Sequence, residues 1–298
     1  MNISDAYAAY RSLLFGLAYK MLGSAGDAED AVQEVFASLQ EQELSDIRHV
    51  KAYLARAVTN RCLNELKTAR KRREIYTGVW LPEPLVSTAD EDNPASAVDK
   101  REDVTYAMLV MLEKLSGIER AVFLLRHAMD FDYSEIAGIV GKSETNCRQM
   151  MSRAKAKLGA RIAERDSQQD WSKAAALAES FIHASRAGDT GALIRLLSED
   201  AVLMTDGGGK VRAAIFPIIG RDRVTAFMAG VVPKGFLQET CIPVVVGGMA
   251  GYLTVRDGKP YHVSVFELNG DGTAISRIYI VKNPDKLAHV TIPPSILS

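Results

Sequence analysis

Over residues 5–75 apolar side chains recur at helical spacing in "AYRSLLFGLAYKML", "DAEDAVQEVFASL" and "VKAYLARAVTNRCLNEL", with Gly23 and Gly26 punctuating the first two. Positions three and four apart share one face of a helix, so each stretch predicts an amphipathic helix with a buried stripe. From Gly78 to about Asp103 this periodicity stops; Pro82, Pro84 and Pro94 with the acidic run Asp90 to Asp92 read as a linker. Helical spacing resumes through residues 104–165, and a second junction lies near "AERDSQQD". Two further helices are predicted at 170–187 and 189–197. The pattern then turns to β-branched segments, "IPVVVGG", "GYLTVRDGKPYHVSVFEL" and "AISRIYIV", in which "RDGK" and "NGDG" are hairpin signals. The chain therefore reads as multidomain: two all-α parts, then an α+β part with a curved antiparallel sheet. The predicted boundaries are 1–77, a linker at 78–103, 104–165 and 168–298.

Composition narrows the function. Hydrophobic (47%) and charged (24%) fractions are ordinary for a soluble globular chain. The N-terminus lacks the pattern of a secretory signal, and the run Ile242 to Leu253 is glycine-rich and too short to span a bilayer. Cys62, Cys147 and Cys241 are scattered, and His49, His127, His183, His262 and His289 have no metal-ligand spacing. A cytoplasmic protein without a metal site is expected. The net charge of −1 conceals a segregation. Residues 1–47 hold Arg11 and Lys20 against Asp5, Asp27, Glu29, Asp30, Glu34, Glu41, Glu43 and Asp46. Residues 48–73 hold Arg48, Lys51, Arg56, Arg61, Lys67, Arg70, Lys71, Arg72 and Arg73 against Glu65. Such blocks speak of partners, or simply of two solvated helix faces.

The stretch "DYSEIAGIVGKSETNCRQMMSRAKAKL" is more specific. Asp132 with Glu135 forms a capping box, Ile136, Ala137 and Val140 a buried face, and Gly141 a turn. Ser143 then caps a second helix whose apolar positions are Cys147, Met151, Ala154 and Leu158. Its outer face is polar and basic, as reading of a DNA major groove requires. An ordinary helical hairpin with a solvated face would share much of this pattern.

Together, "LEKLSGIERAVFLLRHAMDFDYSEIAGIVGKSETNCRQMMSRAKAKL" resembles region 4 of bacterial extracytoplasmic-function sigma factors. "DAEDAVQEVF" with "VKAYLARAVTNRCLNELKTARKRRE" resembles their region 2, and the resemblance covers residues 5–160. It implies docking of the acidic block, Asp27, Glu29, Asp30, Gln33 and Glu34, on the RNA polymerase core, at the beta-prime clamp helices, with the beta subunit as a further contact. It implies that Arg56, Asn60, Arg61, Asn64 and Lys67 approach the bases of the promoter −10 element, while Arg70, Lys71, Arg72 and Arg73 hold phosphates. The −35 element would be read by Lys142, Ser143, Glu144, Thr145, Asn146, Arg148, Gln149, Ser152, Arg153 and Lys155. DNA recognition of this kind needs no cofactor.

Residues 170–290 resemble the SnoaL-like, cystatin-related α+β cone, on "ESFIHASRAGDTGALIRLLSEDAVLMTDGGGKV" and "IYIVKNPDKL". A subgroup of these sigma factors joins "WLPEP", "DGGGK" and "NPDKL", and all three are intact here. The resemblance implies that the extension is a fused regulator in place of a separate anti-sigma protein. Its expected interface comprises Trp80, Leu81, Pro82, Glu83 and Pro84, then Asp206, Gly207, Gly208, Gly209 and Lys210, then Asn283, Pro284, Asp285, Lys286 and Leu287, set against the sigma core. "DGGGK" runs into the strand-like "VRAAIFPII" with no Ser or Thr after its lysine, so it is not a P-loop. It is either a loop permitting close backbone approach or a plain turn. His183, His262, Asp206 and Tyr261 are the residues of the cone able to serve an acid or base, yet no acid–base pair can be placed. Regulatory contact is therefore read first, a small-molecule ligand second and catalysis third. The rival readings are a ligand-responsive helix-turn-helix regulator and a SnoaL-type cyclase or isomerase carrying a DNA-binding appendage.

Overall fold

The structure, a computed structural model, describes residues 2–39, 47, 49–88, 104–159, 171–237 and 240–292. The chain divides into two compact units, Met1–Ile75 with Met108–Ile162, and Tyr76–Ala107 with Ala163–Ser298. The expected acidic run at 90–92, the second junction and Glu41, Glu43 and Asp46 lie outside the described residues.

The helical unit begins with α1 (Ile3–Leu22), α2 (Ala25–Ser38) and α3 (Val50–Glu74). Asn2 accepts a hydrogen bond from Asp5 N–H at the start of α1, and Ser24 accepts one from Asp27 N–H at the start of α2. Between them Gly23 turns the chain at φ 70°, a conformation costly for any residue with a Cβ. The stripes legible in the sequence face inward: Leu14, Leu17 and Met21 on α1, Val32 and Phe36 on α2, Leu54, Val58 and Cys62 on α3. A short strand, β1 (Val86–Thr88), belongs to the other unit. The unit boundary then falls within α4 (Tyr106–Leu112), and α5 (Gly117–His127), α6 (Tyr133–Val140) and α7 (Glu144–Leu158) complete the helical unit. Arg120 on α5 is 3% exposed and donates through Nη1 to Met21 O at 2.6 Å and to Glu113 at 2.7 Å. That side chain reaches α1 across most of a hundred residues of sequence and satisfies the otherwise orphaned end of that helix.

The second unit contains α8 (Trp171–Ala187), α9 (Thr190–Leu196), β2 (Leu197–Asp206), β3 (Ile218–Ile219) and α10 (Arg221–Val231). It continues with β4 (Thr240–Val246), β5 (Met249–Arg256), β6 (Lys259–Leu268), β7 (Ile275–Val281) and α11 (Pro284–Leu287). The strands form one sheet in the order β1-β4-β5-β6-β7-β2-β3. Phe181 and Ile182 of α8 and Val224 and Met228 of α10 join Ala250, Phe266, Ile278 and Ile280 of the sheet in one apolar core. Asp257 and Gly258, both at positive φ, make the β5–β6 turn that "RDGK" predicts.

Three features differ from expectation. The sheet is mixed, because the meander β4–β7 reverses direction three times and leaves β7 parallel to β2. The run after "DGGGK" is a strand only at Ile218–Ile219; before it Thr205 Oγ1 both accepts from Ala214 N–H and donates to Ala214 O, and Pro217 offers no N–H to a ladder. The described part of the linker adds a strand that the sequence pattern does not predict, β1, which pairs antiparallel with β4.

Glu119 ties α5 to α7 through Lys157 Nζ at 2.6 Å, and completes a capping box with Ser116. Burial acts to raise its carboxyl pKa, but hydrogen bonds from Lys157 and Ser116 outweigh it and bring the value down to about 2. A depressed carboxyl contributes stability above its unfolded pKa, near 4.5, and loses it as pH falls toward 2. Urea unfolding across that window is expected to show the helical unit losing on the order of 2–3 kcal/mol, a loss that Glu119→Gln removes.

Candidate functional sites

In the helix-turn-helix, Asp132 and Glu135 form the capping box of α6, Gly141 adopts φ 66°, and Ser143 accepts from Asn146 N–H to open α7. Ile136, Ile139 and Val140 of α6 and Cys147, Met151, Ala154 and Leu158 of α7 are buried; Ala137 is only half-buried and Ile139 takes the place expected for it. Lys142, Ser143, Glu144, Thr145, Asn146, Arg148, Gln149, Ser152, Arg153 and Lys155 are all exposed. Arg148 pairs with Glu144 at 3.3 Å and lies over the Tyr133 ring, 4.4 Å from its centroid. Arg126 approaches the same ring at 5.6 Å. Tyr133 was not among the sequence candidates; an aromatic at the first position of the first helix carries no signal until the fold brings Arg148 over it.

On α2, Glu29, Asp30, Gln33 and Glu34 are exposed and Asp27 is half-buried. On α3, Arg56, Asn60, Asn64 and Lys67 are exposed, and Lys67 donates to Asn64 at 3.1 Å. Arg61 differs: its guanidinium bonds Glu34 through both Nε and Nη2 and reaches Glu65 at 3.3 Å. The hydrogen bond from Arg61 holds the Glu34 carboxyl below its ordinary range, and the same bond raises the Arg61 pKa. One residue from each of the two expected surfaces thus forms a single ion pair. Arg70, Lys71, Arg72 and Arg73 lie on the last turns of α3; their side chains are outside the described residues.

The three short motifs converge in the second unit. Asp206, fully buried at the end of β2, pairs with Lys286 of α11, whose Nζ lies 2.8 Å from Oδ2. Oδ2 also accepts from Leu81 N–H at 2.8 Å. Oδ1 accepts from the Tyr76 hydroxyl and from Gly208 N–H at 3.0 Å. Lys286 donates in addition to Leu81 O and sits 4.0 Å from the Trp80 ring centroid and 5.1 Å from that of Tyr76. Burial first, and then Asp206, push the Tyr76 phenol above its ordinary pKa, so it remains a donor. The Asp206 carbonyl accepts from the N–H groups of Lys282 and Asn283. Asn283 donates to Tyr76 Oη at 3.0 Å and its Oδ1 caps α11, where Pro284 occupies the first turn. Lys210 pairs with Asp285 at 2.6 Å, and His289 Nε2 lies 3.1 Å from Pro84 O. Leu81, Pro82 and Pro84 are buried, Trp80 and Glu83 half-buried, and Leu287 joins the core.

The glycines are required by close approach. A Cβ on Gly207 would stand 2.4 Å from Val211 O, and one on Gly208 would stand 2.4 Å from Asn283 Nδ2 with φ at +63°. Of the cone residues able to serve as an acid or base, Asp206, His183 and His262 are apart. His183 is exposed on α8 beside Glu179. Asp206 pairs in register with Val281, and Val281 with Val263, so Asp206 lies on the sheet face opposite to His262. Among the described residues no cluster of His, Cys, Asp and Glu is arranged to hold a metal, and no helix is long and apolar enough to cross a membrane.

The chain matches the family models of sigma-70 region 2 over residues 6–72 and sigma-70 region 4 over residues 106–158. It is 30% identical to the ECF RNA polymerase sigma factor SigJ of Mycobacterium tuberculosis, over 96% of this chain and 93% of that protein. It is 32% identical to the probable ECF sigma factor SigI of the same species, over 74% of each chain. The crystal structure of M. tuberculosis SigJ superposes with a TM-score of 0.74, covering 96% of this chain and 98% of that one.

Removing one partner of a buried pair leaves an uncompensated charge, at a cost of about 3–5 kcal/mol. Lys286→Met is therefore expected to lower the urea stability of the second unit by about that amount. The double variant with Asp206→Asn should recover part of the loss, because the remaining amide is neutral. Circular dichroism followed through denaturation measures both.

Proposed function

The chain belongs to the extracytoplasmic-function RNA polymerase sigma factors, and from that premise we propose how its residues divide the work of initiation and its control. A sigma factor binds core polymerase and promoter DNA. In this reading α7 lies in the duplex major groove at the −35 element, with Arg148 and Gln149 toward base edges and Arg153 and Lys155 toward phosphates. The exposed polar face of α3, at Arg56, Asn60, Asn64 and Lys67, meets the melted −10 element, and the basic 70–73 stretch meets its backbone. The acidic face of α2, centred on Asp30 and Glu34, docks on a basic surface of the core, the beta-prime clamp helices. Since Glu34 holds Arg61, docking and −10 contact draw on the same ion pair.

The second unit is read as the regulator. The observation that carries this is the burial of Asp206 with Lys286 against the backbone of Leu81. The tether between the two sigma regions is thereby held by the C-terminal extension, so the state of the extension limits the freedom of the tether. An enzymatic reading is not favoured, because Asp206 serves the tether from the opposite sheet face to His262.

Two outcomes test the proposal. Arg148→Ala and Gln149→Ala should each reduce discrimination at the −35 element by about 1–3 kcal/mol without loss of core binding, as read by run-off transcription on promoters with altered −35 sequences. Unchanged selectivity in both would remove α7 from that role. Gly208→Ala, which forces Asn283 away from the Asp206 cluster, should change transcriptional output while the same promoters are chosen. A folded Gly208→Ala protein with wild-type output would reduce the cluster to a structural joint.

A further inference from the structure

A row of side chains crosses the sheet on the face that the helices cover. Cys241 pairs with Thr254 between β4 and β5, and Thr254 pairs with His262 between β5 and β6. One residue beyond the Val263–Val281 pair, Lys282 extends the row. Much of the rest of this face is apolar core, from Phe266 to Ile278 and Ile280. His262 is fully buried; its Nε2 lies 3.0 Å from Thr254 Oγ1, and its Nδ1 has no hydrogen-bond partner among the described residues. Neither promoter recognition nor the Asp206 cluster uses the His262 side chain.

The chain itself covers that imidazole. Phe236 lies flat on His262, with ring centroids 4.2 Å apart and planes 4° from parallel. The carbonyls on either side of Phe236 are held by cations: Arg256 donates to Gly235 O, and Arg186 Nε donates to Leu237 O at 2.8 Å. Lys282 Nζ stands 5.6 Å from the Phe236 centroid and 5.1 Å from that of Tyr261, and Arg256 stacks on Tyr261 at 3.7 Å. Among the described residues Lys282 Nζ contacts these rings and the Arg212 carbonyl at 3.1 Å, and no carboxylate. Burial, then the charges of Lys282 and Arg256, bring the His262 pKa down to about 3, so the ring is neutral. A segment of backbone whose two carbonyls are held by cations thus lays one planar hydrocarbon ring on a neutral imidazole with cations around it.

We propose that this is a closed ligand site for a small aromatic carboxylate, whose ring replaces Phe236 on His262 while its carboxylate engages Lys282 and Arg256. The chemistry selects that class. An aliphatic ligand would forfeit the stacking, and a neutral arene would leave the half-buried cations as they are. A cationic ligand would be repelled. Gly235, at φ 92°, sits beside Phe236 and gives the backbone a residue without a Cβ at which to swing the phenyl ring aside. The site also touches the regulator: Lys282 N–H donates to Asp206 O at 2.7 Å, so a ligand that draws the Lys282 ammonium acts on the strand end carrying the Asp206 cluster. That consequence rests on the regulatory reading above; ligand binding does not.

Titration calorimetry on the full-length protein, with benzoate, phenol and cyclohexanecarboxylate as probes, tests the site. Wild type is expected to bind benzoate at least about tenfold more tightly than either other probe. Phe236→Ala, freed of the competing ring, should bind benzoate more tightly still by a similar factor. Adding Lys282→Met to Phe236→Ala should weaken benzoate about tenfold and leave phenol within about twofold. Circular dichroism confirms that each variant is folded. Three results overturn the proposal: no binding to either protein, binding to Phe236→Ala alone, which marks an engineered cavity, or equal loss of benzoate and phenol on removing Lys282. The measurement contains no polymerase, so a negative result leaves the sigma-factor reading untouched, and a failed Gly208→Ala transcription test leaves the ligand site untouched.

Discussion

A carboxylate taken completely out of water must have its charge and its lone pairs met, and the second unit is arranged around meeting those of Asp206. One ammonium, two backbone N–H groups and one phenol do so. They come from the linker, from the loop that Asp206 itself begins, and from the helix after the last strand. Because the ammonium of Lys286 in turn binds the carbonyl of Leu81, the linker backbone is gripped at both its N–H and its C=O at one residue. The strand β1, the buried prolines 82 and 84 and the contact of Tyr106 with Pro82 O at 2.8 Å follow from this placement.

The helical unit uses the same device with other residues. Arg120 is as deeply buried as Lys286 or more so and binds a helix-terminal carbonyl on α1, while Glu119, its neighbour, reaches Lys157 on α7. Adjacent positions on α5 therefore bind the two parts of the sigma core in opposite directions. Hydrophobic stripes bring helices together at many registers with similar energy; a buried ion is satisfied at only one. The alternation of Asp206, facing the linker, with the row of His262 and Lys282, facing the helices, gives the sheet two separate chemistries. One face holds a tether, and the other joins an apolar core to a polar row beneath Phe236. The backbone of Lys282 and Asn283 is where the two faces meet.

The helices and their caps were legible because their causes are local. Asp132 and Glu135, Ser143 and Asn146, and Gly141 lie within a turn of the groups they serve, and a stripe repeating every three or four residues announces its own burial. The helix-turn-helix was accordingly read nearly residue for residue, with Ile139 and Ala137 exchanged. Helix α10 was missed because "RDRVTAFMAGV" has a charged first turn and no side-chain cap. Strand β1 was missed because three residues beside prolines carry no period; only the waiting edge of β4 makes them a strand. The parallel β2–β7 pair follows from a count of chain reversals, which no single segment contains.

Composition and spacing by themselves determined the class of the chain: helical parts, an α+β part, an acidic helix ahead of a basic one, and a second helix of a pair with a polar outer face. They also marked "WLPEP" and "DGGGK" as unusual and excluded a nucleotide loop, whereas "NPDKL" stood out only through the family resemblance. Only the tertiary structure decided what those motifs do to one another. Whether a lysine 80 residues away becomes the counterion of Asp206, whether Gly208 must lack a Cβ for Asn283, and whether Arg61 belongs to DNA or to Glu34 depend on distances through space between strangers in sequence. Local propensity is a property of neighbours along the chain, whereas the pairing of buried charge is a property of neighbours in the core, and those neighbours exist only once the sheet has closed.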